Sequence, residues 1–153
     1  MRKFYHLSFL IFMFLLFLTA WFSMGIRGVD IYFDILSIML VLMCSLVLIL
    51  ANYNLGEIRK YFVIGFKQGN LDSVDLKNGI LFFTALQNYF ILSGLLGVFI
   101  GIIAVLANLT VPEVTGSGLA LSLITVLYSI ILSMGIAIPF KTGLQKKLNE
   151  ISK

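Results

Sequence analysis

Four apolar runs, each close to the length that carries a helix across a bilayer, leave this chain few ways to fold. They cover about residues 4–24, 32–53, 86–108 and 118–140, and a spanning helix needs roughly 20 apolar residues. Hydrophobic residues make up 60% of the chain and charged residues 12%, against about 45–50% and about 25% in soluble proteins. The expected fold is an all-α membrane protein of four transmembrane helices, one membrane domain over 1–153 with no separate soluble domain.

The first run starts after Arg2 and Lys3 and stays apolar from Leu7 to Phe22. That exceeds the apolar core of a signal peptide, and no small-x-small cleavage pattern follows, so it reads as a retained helix. Trp21 and Phe22 suit an interfacial aromatic belt. His6, beside Tyr5 at the opposite interface, has no second ligand spaced with it, and Cys44 sits alone in an apolar run as a small buried hydrophobe. Asp34 stands at the mouth of the second run rather than at its middle, where capping is the expected role.

Charge sets the expected orientation. Arg2, Lys3, Arg59, Lys60, Lys67, Lys77, Lys141, Lys146, Lys147 and Lys153 fall on one side of the four runs, ten of the eleven basic residues, with Arg27 on the other. Positive residues stay inside, so both termini and the segment of about 54–85 are expected in the cytoplasm. Within that segment Ile58, Tyr61, Phe62 and Phe66 recur with helical spacing opposite Glu57, Arg59, Lys60 and Lys67, which predicts a helix lying along the membrane surface. The net charge of +4 is topogenic on this reading, and no nucleic acid is implied.

The last two runs carry stripes of small residues. Gly94, Gly97 and Gly101 share one side of the third helix. Gly118, Ser122, Thr125, Ser129 and Ser133 recur at threes and fours along the fourth. Small residues let helix backbones approach closely in lipid, so the two are expected to form a tightly packed hairpin. A turn is predicted over Asn108–Gly118, helped by Pro112, Gly116 and Ser117. Asn108-Leu109-Thr110 matches a glycosylation sequon but hugs the membrane.

No metal-ligand spacing, no nucleophile–histidine–acid set and no phosphate-binding loop is present, so neither an enzyme nor a cofactor or metal site is expected. The polar groups at membrane depth are the hydroxyls of Ser122, Thr125, Tyr128, Ser129 and Ser133. Hydroxyls bond across helices or line a wet path, but they do not exchange protons at neutral pH as a carboxylate does. A proton relay therefore needs a group from elsewhere.

The run GVFIGIIAVLANL, the short Pro- and Gly-bearing turn and GLALSLITVLYSIILSMGIAIPF together resemble the third and fourth helices of MotA-type subunits in the MotA/TolQ/ExbB proton-channel family. The matching features are Gly97 with Gly101, Ala107-Asn108-Leu109, Gly118, Thr125, Leu127-Tyr128 and Pro139. A weaker likeness covers the second helix and its Gly-Glu-Ile-Arg-Lys exit at 56–60. The resemblance implies a subunit of the bacterial inner membrane with cytoplasmic termini. It implies a homo-oligomeric ring, a pentamer, around a MotB-like single-span partner that brings the membrane aspartate and couples proton flow to mechanical work in a stator. It assigns Thr125, Ser129, Tyr128 and Val98 to the ion path. Gly94, Gly97, Gly101, Gly118 and Ser122 then pack the helices, and Pro139 is either a hinge or a helix terminator.

The departures bear on function. The family's third-helix proline is replaced by Ile91, and the threonine that follows its glycine by Val98. Valine methyls cannot coordinate sodium, which favours proton coupling. The interval between the second and third runs is too short for the torque-generating domain of flagellar relatives. A TolQ/ExbB-like energiser of a periplasm-spanning transporter and a non-conducting structural scaffold stand as alternatives.

Overall fold

Thirty-five residues without a break, Ser73–Ala107, form a single α-helix. At 1.5 Å per residue it runs to about 52 Å, well past the roughly 30 Å of a hydrocarbon core. A computed structural model describes residues 34–66, 72–109 and 112–152, with Ile11, Phe14 and Leu18 also placed, each of them helical. The rest of the expected first span, 4–24, lies outside the described residues. The chain divides into two units, Met1–Leu36 and Ser37–Lys153, and the second holds the packed core.

In chain order the helices are α1 (Ile35–Asn52), α2 (Leu55–Phe66), α3 (Ser73–Ala107), α4 (Pro112–Leu132), a π-helical turn (Ser133–Ala137) and α5 (Ile138–Ile151). From Thr115 to Ile151 the last three are one continuous rod. Among the described residues, three helices are long and apolar enough to cross a membrane: α1, α3 and that rod. The chain is an all-α membrane protein.

α1 is apolar on every side, which suits lipid. Its inward stripe repeats every fourth residue, Ser37, Val41, Ser45 and Ile49, while Met39, Leu42, Met43 and Leu46 stay exposed. Cys44 is half-buried rather than enclosed. After the short break at Tyr53 and Asn54, a capping box starts α2: Glu57 Oε2 accepts from the Asn54 amide at 3.0 Å. At 12 residues α2 is too short to span.

The apolar face of α2, expected along the membrane surface, is instead turned onto α3 and α5. Tyr61 and Ile64 are buried there. Phe82 of α3 lies at the middle of an aromatic cluster, with ring centroids 5.0 Å from Tyr53, 5.3 Å from Tyr61, 5.9 Å from Phe62 and 5.0 Å from Phe83. Phe83 stacks on Phe140 at 4.9 Å. Close approach at Gly65 brings α2 against the Phe140 ring. Lys147 Nζ then donates to the carbonyls of Ile64 at 3.0 Å and Gly65 at 3.4 Å, so a cation closes the C-terminal end of α2. Outward, Lys60 pairs with Asp75 at 2.7 Å.

Local chemistry also sets the ends of α3. Asp72 caps the start, accepting from the Val74 amide at 3.2 Å, with Asp75 in the first turn, where the helix dipole favours anions. Asn108 closes the other end, its amide donating to Val105 O at 3.0 Å. The turn predicted over Asn108–Gly118 is shorter than expected, because α4 already starts at Pro112. A proline costs nothing at a first helical position, where its missing N–H would have no partner.

Phe82→Ala is expected to cost about 3–5 kcal/mol, the range for emptying an aromatic core site, read as a drop in Tm of the detergent-solubilised protein. The pair at Lys60 behaves differently. Its hydrogen bond to Asp75 raises the lysine pKa above the ordinary 10.5, reinforced by the carboxylate's charge and opposed by desolvation. A raised lysine pKa gives a contribution that is complete below the unfolded value and lost as pH climbs through the folded one. The contribution of this pair is therefore expected to be constant between about pH 6 and 9, with the pH profile of stability of Lys60→Ala running parallel to that of the parent across that window.

Candidate functional site

The small-residue stripes of α3 and α4 meet each other within one chain. A Cβ placed on Gly94 would run into Ser129, one on Gly97 into Thr125, one on Gly101 into Ser122, and one on Gly118 into Val105. The partners advance along α4 as they retreat along α3, which is the register of an antiparallel hairpin. Gly94, Gly97 and Gly101 are buried, and Gly118 is half-buried. Each glycine admits a hydroxyl-bearing or branched side chain where a methyl group would not fit. Close approach of this kind replaces the hydrophobic effect, which lipid does not provide.

The hydroxyls of the α4 stripe are enclosed: Ser122, Thr125, Ser129 and Ser133 are each no more than 3% exposed. Most turn back on their own helix, Ser122 Oγ to the Gly118 carbonyl at 2.8 Å, Thr125 Oγ1 to Leu121 at 2.7 Å and Ser129 Oγ to Val126 at 2.8 Å. Thr125 also shares a hydrogen bond of 3.1 Å with Ser37 of α1. Higher on the same face Ser45 of α1 and Ser93 of α3 lie 3.1 Å apart, while Ser93 donates to the Tyr89 carbonyl at 2.7 Å. The hairpin thus carries two hydroxyl clasps to α1. Sequence reasoning missed Ser37, Ser45 and Ser93. The signal was present in α1, where serines eight residues apart alternate with Val41 and Ile49 at a strict four-residue spacing.

The remaining sequence candidates lie off the seam. Tyr128 and Val98 are half-buried. Pro139 falls at the start of α5, and since the rod continues to Ile151 it does not terminate the helix. Instead it follows the π-turn, where the Ile138 amide bonds the Ser133 carbonyl rather than that of Met134. Proline has no N–H, and in a regular helix its ring would clash with the carbonyl four residues back. The wider π-turn absorbs that defect. On the α5 side, Lys141 Nζ reaches Gln87 Oε1 of α3 at 3.5 Å. Among the described residues no group of His, Cys, Asp or Glu gathers in a way that could hold a metal ion.

Glycines and hydroxyls on the facing sides of α3 and α4 define a tightly packed helical membrane protein. The chain belongs to the MotA/TolQ/ExbB proton channel family, which matches residues 68–153. It is also similar to motility protein A of Aquifex aeolicus (strain VF5), with 45% identity over 53 residues. That stretch covers 35% of this chain and 21% of the relative.

Gly94→Ala is expected to destabilise the hairpin by about 1–3 kcal/mol through overpacking. Its new methyl would meet the Ser129 side chain, with the next atom, the Thr125 carbonyl, at an ordinary 3.5 Å. Adding Ser129→Gly should restore most of the loss, read as the Tm of single and double variants in detergent. A double variant no better than the single would place the contact elsewhere.

Proposed function

We propose that this chain is the ring-forming subunit of a MotA-like proton channel in the bacterial inner membrane, conducting only together with a partner. Both termini and α2 face the cytoplasm, the side to which the basic residues fall. Copies assemble as a homo-oligomer, a pentamer on the family's plan, around a MotB-like single-span helix that carries a membrane aspartate. Proton flow past that carboxylate does mechanical work on the partner.

One observation carries this reading. In a protein of a proton channel family, the polar groups on the buried faces of the described spans are hydroxyls: Ser37, Ser45, Ser93, Ser122, Thr125, Ser129 and Ser133. Asp75 and Lys77 sit in the opening turns of α3 beside the charged surface of α2, away from the hairpin seam. Hydroxyls pass protons along but do not hold them at neutral pH, so the titrating group must come from another chain. In the assembled channel Thr125 and Ser129 take the ion path from the seam side, Tyr128 and Val98 from its edge, and Pro139 serves as the hinge. Val98 offers no oxygen, which supports protons over sodium.

The interval between α1 and α3 holds α2, docked on the chain's own α3 and α5. It leaves no room for the rotor-engaging domain of flagellar stators, so the load on the partner differs or is engaged differently. A TolQ/ExbB-like load on the same channel is the second reading.

Proton uptake into vesicles tests the proposal. Flux is expected with subunit and partner together, in sodium-free buffer, and none with the subunit alone. Replacing the partner's aspartate with asparagine should abolish it. Flux that needs sodium, or that the subunit supports by itself, would contradict the reading.

A further inference from the structure

Ser133 is the exception among the buried hydroxyls. Every other one in the described spans has a hydrogen bond, to its own helix or across a clasp, whereas Ser133 Oγ is enclosed at 3% exposure with no partner among the described residues. Leaving such a group unpaired in a low-dielectric interior costs about 1–3 kcal/mol, and ordinary serines in membrane helices avoid this by turning back onto a carbonyl, as Ser122 does here.

The backbone beside it is short of a donor as well. Ile138, the regular α-helical partner of the Met134 carbonyl, gives its amide to Ser133. The next amide in line, the π-helical partner, belongs to Pro139 and does not exist. A buried hydroxyl and an under-bonded carbonyl therefore occupy adjacent residues of one widened turn. Widened turns of this type recur at functional sites.

We propose that the π-turn Ser133–Ala137 is a binding site for a water molecule, held between Ser133 Oγ and the Met134 carbonyl, and that this water relays protons along the fourth span. Water suits the site in a way a metal ion does not. Two to four polar partners hold a buried water, whereas a hard cation needs about six oxygens. The position also suits a relay. Ser133 continues the Thr125 and Ser129 stripe and lies midway between Thr125 and Lys141, about 12 Å of helix rise from each. Beyond it stands the Gln87–Lys141 pair. In the relay step the water accepts a proton from the Thr125 side and releases another toward the α5 end. One O–H bond forms and one breaks, and the water is regenerated.

The relay rests on the proton-channel reading, while the water site does not, and two measurements separate them. High-resolution electron cryomicroscopy of the intact complex with its partner is expected to show water density within hydrogen-bonding distance of Ser133 Oγ, and Ser133→Ala should remove it. Proton flux in vesicles is expected to fall roughly tenfold in Ser133→Ala, the rate equivalent of one lost hydrogen bond, with oligomer mass unchanged and Ser133→Thr retaining flux. Absent density, or a Ser133→Ala protein more stable than the parent, would overturn the site, since the hydroxyl would then be paired with nothing. Density with undiminished flux in Ser133→Ala would overturn the relay. A parent complex without any proton flux would overturn the relay together with the channel reading, and the density would still decide the site.

Discussion

The approach of two helix backbones at Gly94, Gly97 and Gly101 is the constraint on which the membrane part of this protein depends. Lipid tails are as apolar as leucine, so nothing drives these helices together by excluding solvent. What remains is dispersion at short range and hydrogen bonds between hydroxyls. Both need the backbones close, and only glycine on α3 allows Ser122, Thr125 and Ser129 to enter. With those residues seated, Thr125 is positioned to bond Ser37 and the hairpin is clasped to α1. The polar side chains expected on the ion path are therefore also the ones that hold the subunit together.

The other half of α3 follows different rules. From Leu76 to Phe90 its buried residues are large except Gly79, with Phe82, Phe83, Leu86 and Phe90 among them, and charged residues stand nearby on α2 and at the start of α3. Burying aromatic surface away from water is favourable, and this end is packed with rings. One helix thus changes packing chemistry along its length, from rings to glycines. Phe140 joins the two regimes. It stacks on Phe83 and meets Phe62 and Phe66 of α2, and it directly follows Pro139 and the π-turn. Through Phe140 the turn is in direct contact with α2.

Much of this was legible in the sequence, and the failures have physical causes. The apolar runs and the two small-residue stripes identified the membrane class and the hairpin, because period and length suffice for both. The family likeness was carried by Gly97, Gly101, Thr125 and Pro139. The pairing of the third and fourth helices was legible, but not its register. Periodicity shows which face a helix presents, not that Ser129, Thr125 and Ser122 would seat on Gly94, Gly97 and Gly101 in turn. The docking of α2 was missed because an amphipathic face reads the same whether lipid or protein receives it. The π-turn was hidden because proline signals a defect in the helix without saying how the neighbouring carbonyls resolve it.

The central claim is that the glycine–hydroxyl seam lies within a single subunit, and one cross-link tests it most directly. A Cβ on residue 118 would lie 3.9 Å from the Val105 Cβ, inside the span of about 3.5–4.5 Å that a disulfide requires. In a Cys44→Ser background, oxidation of the Val105→Cys, Gly118→Cys protein in membranes should give a bond inside one chain, seen as a reducible shift in the mobility of the monomer band. Covalent dimers and higher ladders in place of that shifted monomer would contradict the account, because the stripes would then join neighbouring copies.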